Sequence, residues 1–96
     1  MSEKELFRQK YQAHLDELKA QIDGWRAKAK GVSVDVRLEL DKHISHLETA
    51  LAEATDKLRA LSASGEAVWH SLRSGVEASW SKLEKEAKDA AHKLKL

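Results

Sequence analysis

The sequence predicts an all-α protein, either an antiparallel coiled coil or a three-helix bundle, and three observations indicate this fold class. The 96 residues include no proline and only four glycines, and helix-forming residue types dominate the composition. Apolar residues recur at steps of three and four along most of the chain, which is the spacing of one helix face. The C-terminal third repeats itself every eleven residues, a spacing that corresponds to three helical turns. We therefore expect a single helical coiled-coil domain over residues 1–96.

The first predicted helix covers residues 3–30, and its apolar positions alternate steps of four and three, as in a heptad seam. The seam residues are Tyr11, Leu15, Leu18, Ile22, Trp25 and Ala29. Beyond it, Gly31 can end a helix and Ser33 can cap the next one. The seam also continues in an acceptable phase through Val32 and Val36. The sequence therefore allows either a break at Gly31 or a continuous helix.

The second predicted helix covers residues 33–62 and the third covers residues 65–95. The second helix carries the strictest seam, made of Leu40, Ile44, Leu47, Leu51, Ala54, Leu58 and Leu61. The seam of the third is Trp69, Leu72, Val76, Trp80, Leu83, Ala87, Ala90 and Leu94. Between them, Ser64 is a candidate N-cap with Glu66 in the following turn, which predicts a tight reversal at residues 62–65.

The two possibilities at Gly31 predict different assemblies. A turn there gives an antiparallel three-helix bundle about 45 Å long. A continuous helix over residues 3–62 would be about 90 Å long, and its N-terminal seam would need a second chain. The second possibility predicts a swapped dimer. The expected partner is thus a second copy of the chain, in a homodimer, or another protein.

If the chain folds back at the second reversal, residues of the second helix face residues of the third whose numbers add up with theirs to about 127. An apolar residue then faces an apolar residue at each step. These pairs include Leu58 with Trp69, Leu51 with Val76, Leu47 with Trp80, Ile44 with Leu83 and Leu40 with Ala87. The three tryptophans are interpreted as core residues, and a tryptophan box that stacks on a ligand is the alternative. The predicted packing residues are Trp25, Leu40, Ile44, Leu47, Leu51, Leu58, Trp69, Leu72, Val76, Trp80 and Leu83.

One polar cluster has the spacing of metal ligands. Glu39, His43 and His46 stand at i, i+4 and i+7, so they share one side of a helix, on the flank of the seam. Two imidazoles and a carboxylate are ligands that a divalent metal accepts, and this cluster is the candidate metal site. Solvent-exposed helix residues are the alternative interpretation.

The composition argues against several other functions. There is no cysteine, no glycine-rich phosphate loop and no serine in the setting of a catalytic triad, so we expect neither an enzyme nor a bound cofactor. The formal net charge is +1, which gives no reason to expect nucleic-acid binding. The chain begins Met-Ser-Glu-Lys-Glu, without an apolar run, and contains no stretch of membrane-spanning length. We therefore expect a cytoplasmic protein.

Eleven-residue amphipathic repeats also occur in proteins that bind lipid surfaces. In that alternative, one face of the third helix would insert into a membrane or granule surface. The inserted residues would be Trp69, Leu72, Val76, Trp80 and Leu83. Packing against the second helix is the favoured interpretation, because the seam there offers an apolar partner at each step.

Residues 64–83, SGEAVWHSLRSGVEASWSKL, with the Ala-Ala-His-Lys tail that begins at Ala90, resemble a family of small bacterial coiled-coil proteins. The pattern in that family is similar to Ser-Gly-x-Ala-Trp-x-x-Leu-x-x-Gly-x-x-x-Ala-Trp-x-x-Leu, and the likeness covers most of the chain. This chain departs from it at Gly31-Val-Ser-Val and by an extra valine before Trp69. The resemblance implies a stress-associated coiled-coil protein without an assigned activity. The predicted function is accordingly non-enzymatic, by self-association or protein binding.

Overall fold

The computed structural model describes residues 2–95, which form three long helices that run up, down and up. Helix α1 is Glu3–Lys28, a 3₁₀ turn follows at Ala29–Gly31, α2 is Val34–Ala63 and α3 is Glu66–Lys93. The helices pack into a rod of 51 × 19 × 18 Å, somewhat longer than the 45 Å expected of a three-helix bundle. The described residues contain no strand, and the predicted all-α fold class is confirmed.

The chain turns between α1 and α2, so the continuous helix that the sequence also allowed is not formed. After the 3₁₀ turn, only Val32 and Ser33 have extended backbone, with ψ of 167° and 159°. Ser33 occupies the predicted N-cap position, and its carbonyl accepts a hydrogen bond from the Arg37 amide at 2.8 Å. Its hydroxyl makes no capping hydrogen bond. The reversal is therefore made by two residues with little side-chain support.

The reversal between α2 and α3 lies within the predicted segment, but the prediction that Ser64 caps α3 is wrong. The Ser64 hydroxyl donates to the Leu61 carbonyl at 2.6 Å, so this residue ends α2. Gly65 is the N-cap of α3, and its carbonyl accepts from the amides of Val68 and Trp69. The Lys4 ammonium donates to the Ser64 carbonyl, which ties the start of α1 to this corner.

A continuous apolar core runs between the helices, and no polar or charged side chain is buried among the described residues. Of the predicted packing residues, the buried ones are Leu40, Ile44, Leu47, Leu58, Trp69, Val76 and Leu83. Four others are only partly buried against this core, namely Trp25, Leu51, Leu72 and Trp80. Trp69 is 1% exposed and lies 6.1 Å from the Phe7 ring, centroid to centroid, so α1 covers one end of α3.

An ion pair between α2 and α3 is offset by five residues from the predicted register. A carboxylate oxygen of Glu86 lies 3.3 Å from Nε2 of His46, and these two residue numbers total 132. His43 and Asp89 line one cavity between the same helices and give the same total. Helix α2 continues through Ala63, one residue beyond its predicted end. Apolar residues still face one another, since both seams repeat every three to four residues.

Candidate functional site

Helices α1 and α3 lie side by side but do not close against each other, so a groove of about 580 Å³ remains between them. Both helices pack mainly on α2. They run parallel, because Phe7 meets Trp69 at one end and His14 meets Trp80 further along. The groove is lined from α1 by His14, Glu17, Leu18, Gln21 and Trp25, and from α3 by Trp80, Glu84, Ala87, Lys88 and Ala91.

Aromatic rings cross one end of this groove. The imidazole of His14 stacks on the indole of Trp80, with centroids 5.0 Å apart and planes 15° apart. Tyr11 meets His14 edge-on, with ring centroids 5.6 Å apart. Trp25 is also partly buried and lines the groove eleven residues beyond His14 on α1. Aromatic surface is therefore present on both walls.

The interpretation of all three tryptophans as core residues holds fully for Trp69, which is buried, whereas Trp25 and Trp80 pack against the core and are only partly buried. The difference arises from what α1 presents to α3. Phe7 stands beside Trp69 and covers it, whereas seven residues later the side chain beside Trp80 is the imidazole of His14. The imidazole covers one face of the Trp80 indole, and the rest of the indole borders the open groove. The seam of α3 alone could not reveal this, because both tryptophans occupy seam positions.

The groove combines an apolar floor with a charged rim. Leu18 and Ala87 are buried at its base. Glu84 and Lys88 lie on the rim and form an ion pair of 3.3 Å, and Glu17 on the opposite wall is exposed. An apolar floor with a few polar groups around it is the usual composition of a binding site.

Burial also perturbs one ionisable group at the end of the groove. Burial raises the pKa of the Tyr11 phenol, and the nearby charge of Glu77 raises it further. The ring lies between Phe7, at a centroid distance of 4.6 Å, and His14.

The candidate metal site predicted from Glu39, His43 and His46 is not assembled. Nε2 of His43 lies 3.3 Å from Oε1 of Glu39 on the same helix. His46 instead approaches Glu86 on α3. Within residues 2–95, no group of three or more histidine, aspartate or glutamate side chains is arranged to hold a metal ion. The shared helix face predicted the pair of Glu39 with His43, but the pairing of His46 depends on the register of α3.

The face of α3 that the lipid-surface alternative would insert is already occupied. Trp69, Val76 and Leu83 are buried in the bundle, so lipid contact would require α3 to separate from α2. In the described part of the chain, no helix has an apolar stretch long enough to cross a bilayer. Of the residues that the lipid alternative would insert, only Leu72 and Trp80 are partly exposed in the bundle.

Comparisons with protein families, with characterised proteins and with solved structures give no significant match to this chain. The resemblance of residues 64–83 to small bacterial coiled-coil proteins accordingly stays a prediction. What the structure itself establishes is an all-α bundle of three helices with an aromatic groove on the side where α1 and α3 meet.

Proposed function

We propose that this chain is a non-catalytic protein-binding bundle that receives an amphipathic helix in the groove between α1 and α3. The observation that carries the proposal is the position of Trp25 and Trp80, which are partly buried in an open groove. Tryptophan is enriched among the few residues that dominate binding energy at protein interfaces, where a partner completes its burial. Two such residues on facing walls would supply the anchors.

The dimensions of the groove fit a helical segment. His14 and Trp25 are eleven residues apart on α1, which places them about 16 Å apart along the helix axis. A partner helix of three turns covers this distance and presents apolar side chains at i, i+4 and i+7. With that helix bound, the protein would become a four-helix bundle. The small side chains of Ala87 and Ala91 on the α3 wall leave space for close approach.

The occupant is either another protein or a second copy of this chain, and both fit a role in self-association or protein binding. The resemblance to stress-associated bacterial coiled-coil proteins supports a cytoplasmic, stress-related setting for that role. The charged rim of the groove, with Glu17 on one wall and the Glu84 and Lys88 pair on the other, supports selection among partners by charge.

Photo-crosslinking tests the proposal directly. A benzophenone amino acid is placed at Gln21, which lines the groove, and in a control protein at Ala60, which is exposed on α2. Irradiation of cells that produce each variant should give a discrete protein adduct from position 21 and none from position 60. The adduct mass distinguishes a second copy from another protein. Equal labelling at both positions, or no adduct at position 21, would contradict the proposal.

A substitution in the groove provides the matched control for that experiment. Trp80→Ala removes an anchor from the groove wall, whereas Val68→Ala removes an exposed apolar side chain outside the groove lining. The adduct at position 21 should be lost or strongly reduced in the first variant and retained in the second. Circular dichroism on both variants verifies that the helices remain formed.

A further inference from the structure

The three helices are arranged like three of the four helices of a four-helix bundle. Helices α1 and α3 run parallel, and both pack mainly on α2, which runs in the opposite direction. The groove separates α1 from α3, and no residue of α2 lines it. A helix in this groove is antiparallel to both of its neighbours only if it runs in the same direction as α2. Opposite ends of adjacent helix dipoles then lie side by side, as in up-down-up-down bundles.

The groove continues along α1 and α3 beyond its main cavity. Past the stacked rings of His14 and Trp80 lies a second cavity of about 320 Å³, lined by residues of the same two helices. Its charged lining residues are two acidic and two basic ones, Glu3, Lys10, Arg73 and Glu77. Lys10 stands fifteen residues before Trp25, which corresponds to about 22 Å along α1. A helix of about four turns would therefore lie over both cavities.

The walls of the main cavity are more acidic than those of the second. Its charged lining residues are two glutamates and one lysine, and Glu84 and Lys88 pair with each other at 3.3 Å on α3. Glu17 on α1 is exposed, and none of the ion pairs within residues 2–95 includes it. Ala13 and Gln21, four residues before and after it, are uncharged. The Glu17 carboxylate is therefore available to a cation on whatever lies in the groove.

A second copy of this chain does not have a helix to supply. In the described residues, the apolar seams of α1, α2 and α3 are packed into one core, so each helix of a second copy is already in use. Two grooves placed face to face would bring the Glu17 and Glu84 carboxylates of both copies into one interface. Such like-charge contacts are unfavourable at protein interfaces. The occupant that fits is therefore a helix of another protein.

On the basis of the helix-binding function proposed above, on which this inference rests, we propose an orientation and a charge for that occupant. It is an amphipathic helix of another protein that runs antiparallel to α1 and α3, with a lysine or arginine beside its apolar stripe, opposite Glu17. The N-terminal half of this helix lies over the main cavity, where the acidic walls favour the positive end of its dipole. The pair of Glu84 and Lys88 stays intact on the other wall.

Crosslinking from two positions tests the orientation. A benzophenone amino acid is placed at Lys10 in one protein and at Gln21 in another, both exposed and lining the groove. After irradiation in cells, fragmentation mass spectrometry identifies the partner residue that each label has attacked. The residue linked from position 21 should precede the residue linked from position 10 by about eleven positions in the same partner helix. The reverse order, or an adduct with a second copy of this chain, would overturn the inference and leave a helix-binding groove in place. No adduct at position 21 would overturn both proposals.

A charge reversal at Glu17 tests the cation. Glu17→Lys and Asp16→Lys change the net charge equally, but Asp16 is exposed outside the groove lining and is the matched control. With the label at position 21, the adduct yield should fall by about three- to tenfold in Glu17→Lys and stay unchanged in Asp16→Lys. Circular dichroism verifies that both variants remain helical. Equal yields in the two variants would overturn the assignment of a cation opposite Glu17.

Discussion

The imidazole of His14 stacks face to face on the indole of Trp80, and this pair joins α1 to α3 at the mouth of the groove. Nearer the start of α1, Phe7 meets Trp69 instead. Two tryptophans that occupy equivalent positions of an eleven-residue repeat therefore have different roles. Trp69 belongs to the core, whereas Trp80 forms the wall of a groove that remains accessible to a partner.

The first prediction concerns the energetic difference between these tryptophans. Trp69→Ala should lower the free energy of unfolding by about 3–5 kcal/mol, because it leaves a cavity in the core. Trp80→Ala should lower the free energy of unfolding by about half as much or less, because the Trp80 indole is already partly in water. Urea denaturation followed by circular dichroism measures both values. Equal losses in the two variants would show that Trp80 is enclosed like Trp69.

The second prediction concerns glycines in helix interiors. Gly24 in α1 and Gly75 in α3 have helical backbone, and a Cβ at either position would meet no atom within 4 Å. Gly24→Ala and Gly75→Ala should each raise the free energy of unfolding by about 0.5–1 kcal/mol. Gly65→Ala is the matched control, since Gly65 is an N-cap, where alanine is unfavourable. A stabilising Gly65→Ala, or a destabilising change at the two interior positions, would contradict the helix boundaries.

The third prediction is a pH dependence. Burial raises the pKa of the Tyr11 phenol in the folded chain above its unfolded value of about 10. The folded state therefore binds the phenolic proton more tightly than the unfolded state. The stability from this group is fully present below the unfolded pKa, and it is lost as the pH rises through the folded pKa.

Urea denaturation between pH 8 and pH 11, a range that extends about one unit above the ordinary tyrosine pKa, tests this prediction. Lysines also titrate in this pH range. The informative comparison is therefore with Tyr11→Phe, which retains every lysine and lacks only the phenol. Stability should fall less steeply with pH in Tyr11→Phe than in the unaltered protein. Parallel curves for the two proteins would mean that Tyr11 has the same pKa in both states.

The fourth prediction concerns lipid surfaces. Because α2 covers the Trp69, Val76 and Leu83 face, the folded protein should not float with anionic liposomes at low salt. Flotation in a density gradient makes the measurement. Flotation that is abolished by Leu83→Glu in a still helical protein would show that α3 leaves the bundle to bind lipid, and the lipid-surface alternative would then replace protein binding.

Much of the fold could be predicted because each helix carries its own apolar periodicity. Leu40, Ile44 and Leu47 follow that periodicity and are buried. The turn after Gly31 could not be predicted because the apolar seam continues through Val32 and Val36. The local pattern therefore supported both a turn and a continuous helix. Only packing of α1 back onto α2 decides between them.

The candidate site was harder to predict because it depends on what neighbouring helices place beside each residue. Trp80 borders the groove beside His14, a residue 66 positions earlier in the sequence. The partner of His46 is Glu86 on α3, which the spacing within α2 does not reveal. One feature of the sequence did point towards the groove, since His14 stands beside Leu15 on the flank of the first seam. Periodicity within one helix does not tell which helix that flank will face.

The most direct test of the account measures the accessibility of each tryptophan, because its central claim is an open aromatic groove between α1 and α3. Three variants are needed, each keeping one tryptophan and carrying phenylalanine at the other two positions. Acrylamide quenching of fluorescence should be weak for Trp69, with blue-shifted emission, and clearly stronger for Trp25 and Trp80. Equally weak quenching of all three in folded variants would show that the groove is closed and would contradict the account.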